Sequence, residues 1–440
     1  MTSAKTFELG SLIDTIEKVQ TCQLKGKISQ VIGLTMEATG PRLSLGELCY
    51  IQTSDRQLVP SEVVGFRNNR ILLMPLGELE GIGPGSELLA TGTTMRVKVG
   101  MELRGRVLDG LGQPLDGKGR INSEINYPVM NQPPNPLKRT RIAEVLSVGV
   151  RAIDGLTTIG RGQRMGFFAG SGVGKSTLIG MIARNTNADI NVIALIGERG
   201  REVREFLERD LGDAGLERSV VIVATSDQPA LIRLRGAFVA TSIAEYFRDQ
   251  GLDVLFLMDS LTRFALAQRE VGLAIGEPPA TRGFTPSVFA LLPRLLERAG
   301  TAEKGSITGL YTVLVEGDDM NEPITDAVRG IVDGHLILSR ALATRNMYPA
   351  IDIGHSISRV MIDISSPEHM EQAKRFRQIL STYEEARDLI DIGAYKKGSN
   401  ARIDEALMLI DKCHDFLKQN VYEEADFNDT LLRLEDALRR

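Results

Sequence analysis

One stretch constrains the fold of this 440-residue chain more than any other: residues 164–185, RMGFFAGSGVGKSTLIGMIARN. RMGFFA is short and apolar and reads as a buried strand. TLIGMIARN reads as a helix. The loop between them, AGSGVGKST at 169–177, fits a P-loop in which alanine takes the first glycine position. Gly170, Gly172 and Gly174 free the backbone to curl its N–H groups around phosphate oxygens. The motif assigns nucleotide binding to Ala169, Gly170, Ser171, Gly172, Val173, Gly174, Lys175, Ser176 and Thr177. Lys175 reaches the outer phosphates, and the Ser176 hydroxyl can ligate Mg²⁺. A chance glycine turn explains the loop but not the strand and helix that flank it.

The surroundings extend this reading. From about 145 to 365, apolar runs (NVIALIG, VVIVAT, DVLFLMD, LYTVLVE, GHLILS) alternate with longer helical patterns. That alternation predicts a mainly parallel sheet with crossover helices. DVLFLMD ends on Asp259, where a P-loop fold needs a carboxylate for the magnesium shell; an ordinary helix cap is the plainer alternative. NVIALIG leads into ERGREVREF, which reads as a charged helix opening at Glu198. Ligands of parallel sheets sit beyond the carboxyl ends of the strands, so Glu198 would face a γ-phosphate as base. Glu202, one turn later, competes for that role. Both acids also suit a helix N-terminus, paired with Arg199 and Arg201.

The rest of the chain divides around this core. Residues 1–21 form a leader in which Ser11 and Asp14 suggest a capping box. Its apolar positions Leu9, Leu12, Ile13, Ile16 and Val19 suit a helix, packed on its own domain or docked on a partner or membrane. Residues 22–92 have a β texture with a hairpin at SEVVGF-RNN-RILLMPL, the pattern of a small barrel. VLDGLGQPLDGKG (107–119) reads as turns throughout, and NQPPNP (131–136) as an extended linker. The ATPase-type core occupies 93–366. Residues 367–440 lose the strand signal and alternate two amphipathic helical faces around GAYKKGSN (393–400), a small helical domain.

Composition excludes several classes. Net charge is -5, from 52 basic and 57 acidic residues, which disfavours wrapping of nucleic acid. Cys22, Cys49 and Cys413 are far apart, and the four histidines are as scattered, so no metal-ligand spacing exists. The thiol count suits a reducing cytoplasm. The start lacks a signal-peptide layout, and no apolar run approaches a bilayer span. Any membrane contact is then peripheral.

Four segments carry a family resemblance. AGSGVGKST, GERGREV, LFLMDSLTR and YPAIDIGHSISR (348–359) resemble the catalytic subunits of F1/V-type rotary ATPases. More narrowly, ERGREVREFLE, QREVGLAIGEPPATRGFTPSVFALLPRLLERAG and LVEGDDMNEP resemble type III protein-export ATPases, most of all the flagellar ones. The injectisome ATPases are the close second. The resemblance implies a β-barrel, a RecA-like core and a C-terminal helical domain. It implies Mg²⁺-dependent ATP hydrolysis that energises protein export, with Lys175, Glu198 and Arg359 catalytic and Ser176 and Asp259 on the metal. Tyr348 matches an aromatic that packs on adenine, against the plainer reading of a core tyrosine. Arg359 matches an arginine finger; an ion pair within its own chain, for example with Asp352, is the alternative. Base and finger in one chain imply a self-complementing homohexamer.

The same resemblance implies partners: a peripheral-stalk regulator, a central coiled-coil stalk, export substrates and their chaperones. It implies a cytoplasmic protein that touches the inner membrane peripherally. GAYKKGSN departs from the F1 pattern, so the F1 torque contact is not carried over. Two further readings share the core. A Rho-like RNA translocase needs aromatic platforms on its barrel, where 22–92 offers only Tyr50 and Phe66. A non-catalytic ATP synthase subunit should lack the Glu198 carboxylate, which is present.

Overall fold

The computed structural model describes residues 24–439 apart from 316 and 318. The predicted leader helix lies outside the described residues. The chain separates at residues 95/96 into two compact units.

The first unit is a closed six-stranded barrel. Its strands are β1 (Lys25–Ile32), β2 (Thr35–Thr39), β3 (Glu47–Gln52), β4 (Leu58–Arg67), β5 (Arg70–Pro75) and β6 (Glu87–Thr94), in the spatial order β1-β2-β5-β4-β3-β6 with β6 closing on β1. Strand β3, ELCYIQ, alternates buried and half-buried positions, the period of two that a barrel wall requires. Ile28, Met36, Cys49, Ile51, Val63, Leu73 and Leu88 fill the interior. The predicted hairpin is present: Asn68 and Asn69 both take positive φ between β4 and β5, a geometry asparagine tolerates.

The second unit is built on one large sheet. Short strands β7 (Arg96–Lys98) and β9 (Asn126–Pro128) pair with each other, as do β10 (Val145–Leu146) and β11 (Ile159–Gly160). The main sheet contains β8 (Arg106–Asp109), β12 (Arg164–Ala169), β13 (Ile190–Ile196), β14 (Ser219–Ala224), β15 (Asp253–Asp259), β17 (Ser306–Leu314), β18 (Gly334–Leu338) and β19 (Ile357–Ser358). Their order is β19-β18-β12-β17-β15-β13-β14-β8, and the two-residue β16 (Gly300–Thr301) pairs with β17 off this path. Every pair from β18 to β8 is parallel; β19 runs antiparallel to β18. The central strands are buried along their whole length, INVIALI and SVVIVA included, because helices cover both faces.

Strand β8 corrects the sequence reading of 107–119 as turns alone. Residues 106–109 extend the sheet edge beside β14, and turns begin only after Asp109. Two apolar residues, Val107 and Leu108, gave too short a signal. The C-terminal helices are Pro367–Asp391, Ala401–Leu417 and Phe427–Ala437. They are broken at GAYKKGSN as expected, and Phe376, Leu409, Phe416 and Leu434 join the core of the sheet domain.

Candidate functional site

The site forms where parallel strands end together. β12, β17, β15 and β13 are neighbours, so Ala169, Leu314, Asp259 and Ile196 finish at one edge of the sheet. The P-loop leaves β12 there. Gly172 and Gly174 both take positive φ, a region that side chains strain to reach. Gly174 caps the helix Lys175–Asn185 with no side-chain cap, so the N–H groups of the first turn face the loop.

Three charged side chains from three segments meet beside this loop. The Lys175 ammonium is ion-paired with Asp259 and lies 3.9 Å from Glu198. Thr312, on β17, donates a hydrogen bond of 2.7 Å to the Asp259 carboxylate. Gly197, with positive φ, turns the chain between β13 and Glu198. A Cβ there would stand 2.7 Å from the Arg263 side chain, so only glycine fits. The helix that follows begins at Gly200, with Arg199 as its N-cap. Glu198 therefore sits in the loop before the helix and does not open it, because the Gly197 turn must be completed first. Burial pushes the Glu198 carboxyl up to about 8, helped by the neighbouring Asp259 charge and a hydrogen bond with Glu202; Lys175 opposes the shift.

Tyr348 lies against the P-loop. A Cβ on Gly174 would lie 3.4 Å from its ring. Its ring helps line a cavity of about 330 Å³ with Gly172, Thr177 and Met181 and with Gln419 and Val421 from the C-terminal region. Sequence reasoning did not anticipate Gln419 or Val421, which lie far along the chain in a segment with no motif. It also missed Thr312 and Arg263. Arg263 lies against Gly197, and its buried Nε has no hydrogen-bond partner. That unpartnered donor was invisible in LFLMDSLTR.

Arg359 is not part of this cluster. Its residue is exposed, and its backbone N–H donates to the Asp333 carbonyl at 3.0 Å. Among the described residues its guanidinium has no hydrogen bond or ion pair. Asp352 instead pairs with His355 at 3.0 Å. The register places Arg359 level with Asp333, and Asp333 level with Arg164 at the start of β12. Five residues of strand separate that level from Ala169, about 16 Å along the sheet before the P-loop begins.

Comparison with known proteins agrees with this geometry. Residues 149–358 match the nucleotide-binding domain of the ATP synthase alpha/beta family, and residues 28–92 match its beta-barrel domain. Residues 365–436 match the T3SS EscN ATPase C-terminal domain. A flagellum-specific ATP synthase of Bacillus subtilis is 57% identical over 426 residues, 96% of this chain and 97% of the relative. A type 3 secretion system ATPase of Xanthomonas euvesicatoria is 53% identical over 92% of each chain. The assembled ATPase EscN of the enteropathogenic E. coli type III secretion system superposes with a TM-score of 0.90 at 45% identity. That match covers 94% of this chain and all of EscN. The chain belongs to the ATP synthase alpha/beta family and, within it, to the ATPases of flagellar and type III secretion systems.

Proposed function

We propose that this chain hydrolyses ATP to energise type III protein export, most directly of flagellar components. The observation that carries the reading is the meeting of Lys175, Asp259 and Glu198 at the carboxyl edge of the sheet beside an open P-loop. Incoming phosphates draw Lys175 away from Asp259. The uncapped helix N-terminus and loop N–H groups hold the phosphate oxygens. Ser176 and Asp259 are hard oxygen donors, few in number, which suits Mg²⁺ because that ion keeps waters and substrate phosphates in its shell. When bound there it would neutralise charge on the β- and γ-phosphates. Glu198 orients a water and accepts its proton as the water oxygen bonds to the γ-phosphorus. The bond to the bridging oxygen breaks, and ADP leaves with the electron pair. The Arg263 Nε offers a further donor at this edge, and the Tyr348 ring offers a face to the base.

The placement of Arg359 supports a finger supplied to a second copy of this chain, and hence a homohexamer. EscN has been solved assembled and in complex with its central stalk EscO, with a TM-score of 0.88 and 44% identity in the complex. By that similarity one partner here is a central stalk, for which we propose a coiled coil; a peripheral-stalk regulator, export substrates and their chaperones complete the proposed set. No helix among the described residues is long and apolar enough to cross a membrane. We assign the chain to the cytoplasm, touching the inner membrane peripherally. The domain division that fits this reading is 1–21, 22–92, 93–366 and 367–440. An injectisome ATPase is the second reading, favoured by the C-terminal match to the EscN domain.

Phosphate release tests the chemistry: Lys175→Ala should lose ATP affinity, and Glu198→Gln should bind ATP without turnover. Restored motility on expression in a strain lacking its flagellar export ATPase supports the flagellar reading. Restored secretion only in an injectisome ATPase deletion overturns it.

A further inference from the structure

The segment 416–423, which spans the end of the second C-terminal helix and the loop after it, is held by side chains of the nucleotide domain. Arg151 is buried, and its Nε donates to the Phe416 carbonyl at 3.0 Å. The same guanidinium donates to the Lys418 carbonyl and pairs with Glu423. From the P-loop helix, Arg184 donates to the Val421 carbonyl at 2.6 Å and lies over the Tyr422 ring at 5.5 Å.

Gln419 lies at the centre of these ties and is buried. Its Oε1 accepts from the Arg151 backbone N–H at 2.8 Å, and its Nε2 donates to the Gly149 carbonyl at 2.8 Å and the Glu423 carbonyl at 2.9 Å. Both amide donors are taken by protein, and the oxygen already accepts one bond, so no N–H is left to donate to a base edge. Its backbone N–H does something else: it donates to the Tyr348 carbonyl at 3.0 Å. Tyr348 in turn lies against Gly174 of the P-loop.

We infer that Gln419 is a positioning residue for the nucleotide base: its three amide hydrogen bonds fix the segment whose backbone holds Tyr348 beside the P-loop. The inference rests on the proposed ATP site. Gln419 acts on base binding through the Tyr348 carbonyl. The phosphate end of the site, on Lys175 and the loop, does not depend on it.

Tripolyphosphate has the phosphates and lacks the base, so it separates the two ends. For the full-length protein, Gln419→Ala should raise KM for ATP about tenfold with kcat changed less than about twofold. Inhibition by tripolyphosphate should be unchanged. In a Tyr348→Ala background the same substitution should add less than about twofold, because the two residues act in series. Glu423→Gln keeps the carbonyl that Gln419 uses and weakens the carboxylate's pairs with Arg151 and Arg433, while an amide oxygen can still accept from the Asn420 N–H. It should move KM in the same direction by a smaller factor, and it serves as the test if Gln419→Ala does not fold. Equal losses for ATP and tripolyphosphate, or fully additive effects of Gln419→Ala and Tyr348→Ala, overturn the inference. For Glu423→Gln, an unchanged KM for ATP overturns it as well. If tripolyphosphate fails to compete with ATP in the wild type, the ATP-site reading itself fails.

Discussion

The raised Glu198 carboxyl gives a quantitative test of the base assignment. A base accepts a proton only when ionised. With the group at about 8, about a tenth is ionised at pH 7 and about a hundredth at pH 6. The pH profile of kcat/KM reports the free enzyme, the state in which Glu198 faces Asp259 and Lys175. It should therefore rise roughly tenfold per pH unit from 6 to 7 and level off near 9. Glu198→Gln should lower the plateau by about 10²–10⁴ and remove the limb. Asp259→Asn should shift the remaining limb to lower pH, since its charge is the second cause of the rise. Phosphate release at limiting ATP, at fixed ionic strength, gives the profile. Stability should move oppositely to activity. The native state holds a proton that the unfolded chain has lost, so Glu198 increasingly destabilises the fold as pH rises from about 4.5 to 8. The Glu198→Gln variant should therefore melt above the wild type at pH 9 and level with it at pH 5. A limb that survives in Glu198→Gln would refute the assignment and move the role to Glu202.

Other outcomes follow from the same structure. Arg298 and Glu245 are fully buried and joined by two hydrogen bonds, 2.8 and 2.7 Å. Arg298→Met should cost about 3–5 kcal/mol in urea denaturation, because it strands a buried acid. Asp116 is held well below the usual carboxylate range by Arg106, despite burial, with the Val107 and Lys118 N–H groups assisting. Its stabilisation is present above about pH 4 and lost as pH falls further. Asp116→Asn should lower the melting temperature at pH 7 and narrow the gap to the wild type toward pH 3.

What the sequence revealed was local. The P-loop, with its strand and helix, lies within 22 contiguous residues and carries its own chemistry. The parallel sheet was legible because its strands are buried on both faces and read as unbroken apolar runs. The β4–β5 hairpin was legible through the asparagines that its turn requires. Strand β8 was hidden because only two apolar residues precede a turn. The place of Glu198 before its helix depends on a Gly197 turn packed against Arg263, a contact between the end of β13 and the helix after β15 that no periodicity encodes. Gln419 and Val421 reach the P-loop only through folding of the C-terminal region onto the core. Arg359 was singled out by its match to an arginine finger. Its place at the far edge follows from the antiparallel pairing of β19 with β18, a two-residue strand too short to foresee.

The central claim is a composite site completed between copies of this chain, and mixing two inactive variants tests it most directly. Arg359→Ala lacks the finger and Glu198→Gln lacks the base. Each alone should bind ATP and fall by about 10²–10⁵ in turnover. In a mixed assembly some interfaces pair an intact base with an intact finger. ATP hydrolysis should then reappear at up to about a quarter of the wild-type rate, depend on the mixing ratio, and rise with protein concentration. A mixture no more active than its components, or an Arg359→Ala variant with wild-type turnover, would contradict the account.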